Sequence, residues 1–378
     1  MSDNARSRLI QSPSDMNKAV SLDWNEETGA VDSSTLAADV DLLVSLIQNG
    51  KVSYPYRRYY TPEEETPEKL FDLLKTEEVI KNIKKYTPAD LRVEGSRYEV
   101  SEQLDTWTLV SSRAHNLTDW YSEPARARAK AVNGNYSMYE LWMSMTREVV
   151  LNCITRWDRI TMHSLHATLR GLAYTKTSIG QLAGEAFNFS NVLAREIYRV
   201  YCPQGGTVLD PSAGWGDREL GALASGTVSH YIGVDPNEYL YTSYHAMKSL
   251  NPSVRVTILG HGAEQLPYEE KESVDLVFTS PPYWNLEVYT QLPGQSIDVF
   301  SSFNSWLNGF LFEMIQRAYY RLKRRGYFLL HIRNIRGVDL VGPIVEKMNE
   351  LGAMYHQPLI LNIGSIGSIA PVWRWQKP

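Results

Sequence analysis

From Gly205 onward the chain alternates short runs rich in β-branched and aromatic residues with segments of helical spacing. The runs are TVLD, YIGVD, RVTIL, DLVFTS and GYFLLHI. Each is nearly continuous in apolar character, the pattern of a strand covered on both faces. Strands of this kind alternating with helices predict an α/β fold built on a mostly parallel, doubly wound sheet. Two later runs, PLILNI and PVWRWQK, are expected to close the chain as a hairpin and bring the sheet to seven strands.

Such a sheet gathers its chemistry at the carboxyl ends of its strands. The first run ends in Asp210 and continues Pro211-Ser212-Ala213-Gly214-Trp215-Gly216-Asp217-Arg218. Gly214 and Gly216 permit a tight turn and let backbone amides approach a ligand at the start of the next helix. The second run ends in Asp235, 25 residues after Asp210, where doubly wound folds hydrogen-bond the ribose hydroxyls of an adenosine cofactor. A dinucleotide fingerprint would carry a third glycine, so a nicotinamide-dependent oxidoreductase is disfavoured. The fourth run leads directly into Ser280-Pro281-Pro282-Tyr283-Trp284.

At this point the sequence resembles the S-adenosylmethionine-dependent DNA amino-methyltransferases, which methylate cytosine N4 or adenine N6 and carry a D/N/S-P-P-Y/F/W motif. The resemblance implies a class I, Rossmann-like methyltransferase fold over about residues 181–378, with S-adenosylmethionine as cofactor and DNA as partner. It makes Ser280, Pro281, Pro282 and Tyr283 the catalytic residues. It places Asp235 at the ribose, and Asp210, Pro211, Gly214 and Gly216 on the methionine side. Phe187-Asn188-Phe189-Ser190 resembles the family segment that packs on the methionine end, which implicates Phe187 and Phe189, although core packing explains two phenylalanines equally well. Glu264 follows the third strand, where the family contacts adenine.

The tetrapeptide has its own physical logic. An exocyclic amino nitrogen is a poor nucleophile, because its lone pair is delocalised into the ring. Ser280 and the carbonyl of Pro281 can accept both amino hydrogens and aim that lone pair at a methyl group, moved by direct in-line displacement. Two prolines fix φ and offer no N–H, so the carbonyl stays an acceptor. Tyr283 offers a flat face for a base taken out of the stack. A serine in the first position is commoner among cytosine-N4 enzymes. The order Phe-x-Phe, G-x-G, S-P-P-Y looks like the gamma arrangement, and the compact catalytic half is similar to enzymes of phages and mobile elements. Gamma enzymes usually carry target recognition after the catalytic half, yet only 95 residues follow Tyr283. Target recognition is therefore expected from the first 180 residues or from loops. A same-fold enzyme acting on RNA or on a protein amide, and a binding protein that no longer turns over, are the remaining alternatives.

Upstream, residues 1–33 read as a frayed arm and 34–180 as a mostly helical region. A helix is expected over STLAADVDLLVSLIQN, and another opens at Pro67 and runs on through LFDLLKTEEVIKNIKKY. Residues 113–176 hold nine Arg and Lys against five Asp and Glu, which with Trp120, Tyr121, Tyr136 and Trp142 could form a basic aromatic surface. His163 and His166 lack further ligands, and no metal is expected.

The net charge of −5, from 38 basic and 43 acidic residues, supplies no global attraction to nucleic acid, so binding has to rest on local groups. Trp284, Arg333 and Arg336 are the candidates, the two arginines following the fifth run on the same edge as Ser280. Lys323, Arg324 and Arg325 precede that run and fall on the opposite edge. Two cysteines, Cys153 and Cys202, cannot build a disulfide framework or a Cys-rich zinc module. No apolar stretch is long enough for a membrane span or a signal peptide. A cytoplasmic protein is expected, or a nuclear one in a eukaryotic or viral setting.

Overall fold

The computed structural model describes residues 24–25, 30–31, 33–59, 65–91, 100–131, 136–144, 146–157, 160–174, 186–268, 270–335, 337–363 and 368–378. The chain forms two compact units, one of Met1–Glu65 with Glu123–Ala186 and one of Thr66–Ser122 with Phe187–Pro378.

The second unit holds a nine-stranded sheet. Its strands are β1 (Val79–Lys85), β2 (Gln103–Leu109), β3 (Gly206–Asp210), β4 (Val228–Val234), β5 (Arg255–Leu259), β6 (Val274–Thr279), β7 (Leu322–His331), β8 (Met354–Ile363) and β9 (Ser368–Gln376). Their order is β1-β2-β8-β9-β7-β6-β3-β4-β5. Strands β7, β6, β3, β4 and β5 pair in parallel, whereas β9 enters antiparallel between β7 and β8. This strand order, with one antiparallel strand inserted, is the Rossmann-like class I arrangement that the sequence resemblance implies, enlarged at one edge.

The enlargement corrects the expectation of seven strands. The helix opened by Pro67 stops at Thr76, and the VIKNIKK stretch read as its continuation is β1, antiparallel to β2. With Ile80 and Ile83 three apart among lysines, so short and polar a run has no decisive period, and cross-strand pairing decides its state. Six of the seven β1 residues are exposed, and its lysines blunt the open edge. Lys81 lies over the Trp107 ring at 4.6 Å and pairs with Glu196 at 2.6 Å.

The continuous apolar runs follow from cover on both faces. Val208, Leu276 and Phe278 point to one side, with helices Asn191–Tyr201 and Asp217–Ser225. Their neighbours Leu209 and Val277 point to the other, with helices Glu313–Arg321 and Val341–Glu350. Each such side chain contributes roughly 2 kcal/mol by leaving water. Strand β7 begins earlier than GYFLLHI suggests, so Lys323, Arg324 and Arg325 lie inside it, where the register with β6 shifts between Leu322 and Tyr327.

In the other unit, helices Ser33–Gln48, Met138–Ser144, Thr146–Trp157 and Met162–Tyr174 share a core that includes Val40, Ile47, Trp142, Val149 and Leu165. Trp142 and Arg126 are buried and cannot contribute to the basic aromatic surface expected of this segment. Arg159 and Lys176 lie outside the described residues. His166 is buried beside Glu123 at 3.5 Å. Among the described residues no helix is long and apolar enough to cross a membrane.

Candidate active site

Thr279, the last residue of β6, pairs with Leu330 of β7. The next residue on each strand, Ser280 and His331, therefore emerges at one level of the carboxyl edge. Ser280 Oγ lies 3.0 Å from His331 Nδ1. The Tyr283 hydroxyl is 3.3 Å from the same nitrogen and donates to the His331 carbonyl at 3.2 Å. Burial first, then Arg218 and Arg333, pushes the imidazole down to about 3, so it is neutral at ordinary pH. Burial pushes the Tyr283 phenol up.

These groups open onto a cavity of about 690 Å³, within the size range of small-molecule sites. Ser280, Pro281, Pro282 and Tyr283 all line it, with Trp284 and Arg333. Trp284 takes a left-handed φ of 53°, and its ring packs against Phe303 and Trp306 at 5.9 and 5.6 Å. Arg336 lies outside the described residues.

Of the residues expected at a cofactor, Phe187, Phe189, Pro211, Gly214, Asp235 and Glu264 line the same cavity. The two phenylalanines separate. Phe187 is 73% exposed, whereas Phe189 is buried with its ring 5.5 Å from Phe278 and 5.2 Å from His331. The half-buried Asp235 accepts from the amides of Gly214 (2.8 Å) and Asn237 (2.9 Å). Burial pushes its carboxyl up to about 6 against the pull of those two amides. Gly262 leaves room for the Glu264 carboxylate to fold back, since a Cβ there would collide with it.

Asp210 and Gly216 stand behind the cavity rather than on it. Asp210 is fully buried and accepts from Arg218 Nε (2.7 Å), the Tyr231 hydroxyl (2.7 Å) and the Ser212 amide (3.3 Å). Gly216, at φ 91°, leaves the helix N-terminus in a left-handed turn against Met247. Both hold the loop whose outer face is Pro211, Ser212 and Gly214.

Three cavity groups escape the sequence reading. His331 ends the GYFLLHI run, and its position at a strand's carboxyl end was the available signal. Arg218, four residues after Gly214, carries no local signal of facing a cavity; it donates to the Ser212 carbonyl and lies 5.8 Å from the Phe189 ring. Glu287, held by the Tyr289 hydroxyl at 2.7 Å and by the Phe187 amide, is pushed up by burial. Nothing near it in sequence marks it.

No family model matches the chain, and no curated protein does. Solved structures with a similar fold include TrmN from Thermus thermophilus, 19% identical over 50% of this chain with a TM-score of 0.37. The match spans about half, 49%, of TrmN. An rRNA methylase from Streptococcus thermophilus is 13% identical over 51% of this chain and 98% of its own, with a TM-score of 0.33. TYW2 from P. horikoshii, in complex with MeSAdo, is 14% identical over 50% and 64%, with a TM-score of 0.35. The chemistry of the site has to come from its own residues.

Proposed function

We propose that the chain is an S-adenosylmethionine-dependent methyltransferase that modifies an exocyclic amino group of a DNA base, cytosine N4 ahead of adenine N6. One observation carries this reading: Ser280-Pro281-Pro282-Tyr283 leaves β6 into the same cavity that receives the Asp235 carboxylate and the Gly214 turn. The residues fit the cofactor. Each Asp235 oxygen accepts one amide and keeps lone-pair capacity for ribose hydroxyls. Phe187 offers an exposed apolar face at the cavity, and Arg218 a buried cation beside it.

The bound cofactor would supply an electrophilic methyl group on a sulfonium. This chain's residues orient the acceptor. Ser280 Oγ and the Pro281 carbonyl accept the two amino hydrogens, and Tyr283 stacks on the extruded base. Arg333, on the same edge, is the phosphate contact that an acidic chain needs.

The test is transfer of tritiated methyl groups onto unmethylated DNA, RNA and protein, followed by nucleoside analysis. Label recovered as N4-methylcytosine or N6-methyladenine in DNA is expected. Label confined to RNA or protein overturns the DNA substrate, and transfer undiminished by Pro282→Ala or Tyr283→Ala overturns the role of the motif.

A further inference from the structure

Ser280 and His331 are 51 positions apart in sequence, yet their side chains meet at 3.0 Å where β6 and β7 end. His331 lines the cavity with its ring 5.2 Å from that of Phe189, and burial, with Arg218 and Arg333, disfavours a positive charge on it. A neutral imidazole has one N–H and one acceptor nitrogen, and the choice between them has opposite consequences for Ser280. With the hydrogen on Nδ1, the ring donates to Ser280 and leaves the serine proton to point at the ligand. With the hydrogen on Nε2, the serine proton is taken by Nδ1, and the lone pairs of Oγ face the cavity as acceptors.

A ring amino group presents only donors towards Ser280, whereas a ring carbonyl in the same place presents only an acceptor. A hydroxyl locked as an acceptor therefore pairs with the first. Against the second it leaves two sets of lone pairs facing each other out of reach of water, which costs the desolvation of both. The Tyr283 hydroxyl completes the bracket by donating to the His331 backbone carbonyl at 3.2 Å, which ties the end of β7 to the S-P-P-Y turn.

We infer that His331 is a positioning residue: with its hydrogen on Nε2, it takes the Ser280 proton and holds Ser280 as an obligate acceptor, so that the site selects bases bearing an amino group over those bearing a carbonyl. The inference rests on the proposed contact between Ser280 and the target amino group.

The experiment combines two measurements on the full chain. Long-range nitrogen-15 NMR with labelled histidine reads the tautomer of the unaltered protein, and Nδ1 is expected to be the unprotonated nitrogen. Steady-state methylation of unmethylated DNA then compares His331→Leu, His331→Asn, Ser280→Ala and the double variant. His331→Leu is expected to lower kcat about 10- to 100-fold, the worth of one buried hydrogen bond, with the KM for S-adenosylmethionine unmoved. His331→Asn restores an acceptor and is expected to recover most of that loss. The double variant is expected to be no slower than Ser280→Ala alone, because His331 acts through Ser280. A hydrogen on Nδ1, an unchanged kcat in His331→Leu, or losses that add in the double variant each overturn the inference. Absence of methyl transfer by the unaltered protein would instead overturn the proposed function, and the tautomer would still decide the role of His331.

Discussion

Arg218, on the cavity wall, and Asp210, behind it, form an ion pair of 2.7 Å, their side chains 6% and 0% exposed. Eight residues apart across the Gly214–Gly216 turn, they tie the end of β3 to the first turn of the following helix. Removing one partner leaves the other charged and buried, which typically costs about 3–5 kcal/mol. Asp210→Ala is therefore expected to lower stability by that order in chemical denaturation. Asp210→Asn still accepts from Tyr231 and is expected to lose less. Equal stability of Asp210→Ala and the unaltered protein would mean that the pair does not hold the turn.

Asp235 sets a pH dependence with opposite signs for binding and for stability. Its carboxyl is pushed up to about 6, above the roughly 3.9 of an unfolded aspartate. In the proposed site Asp235 accepts from the ribose hydroxyls, and a carboxylate accepts both more strongly than a protonated carboxyl does, so affinity for S-adenosylmethionine is expected to fall as pH drops below about 6. The folded state binds the proton more tightly than the unfolded one, so the contribution of Asp235 to stability rises as pH falls through the same window. Calorimetric titrations across that window check the first, and denaturation of the ligand-free protein the second. Asp235→Asn is expected to flatten both.

Glu219 is fully buried, and among the described residues neither of its oxygens has a hydrogen-bond partner. Burial pushes its carboxyl well up, with Lys248 partly opposing. Because its carboxyl is raised on folding, the contribution of Glu219 to stability is greatest at low pH and is lost as pH rises. Glu219→Met, apolar and of similar length, is expected to raise the melting temperature near neutral pH and to flatten this dependence. A lower melting temperature there would show that the carboxyl has a stabilising partner.

Phe187 and Phe189 are expected to part company on substitution. Phe189 is buried against Phe278 and His331, and truncating a core phenylalanine costs about 3–5 kcal/mol. Phe187 is 73% exposed at the cavity. Phe187→Ala is expected to leave the melting temperature within a degree or two and to weaken S-adenosylmethionine binding. Unaltered affinity in Phe187→Ala would remove Phe187 from the cofactor site.

Most of the parallel sheet was legible in the chain because its signal is local. A strand buried on both faces must be apolar at consecutive positions, as Val208-Leu209 and Leu276-Val277-Phe278 are, and that constraint is written within a few residues. The edge was not legible. VIKNIKK is polar, exposed and compatible with either period, so its state depends on a partner strand about twenty residues away.

The same division runs through the site. The sequence by itself determined the turn after β3, the carboxylate at the end of β4 and the S-P-P-Y turn after β6, because each is a short segment whose backbone and side-chain chemistry are specified by adjacent residues. Only the tertiary structure decided that His331 stands against Ser280, that Arg218 is held by Asp210 beside the cavity, and that Glu287 folds back to the Phe187 amide. Those contacts follow from the register of β7 on β6 and from the packing of loops on the sheet edge, which sum over many weak contacts and leave no pattern within any single stretch of the chain.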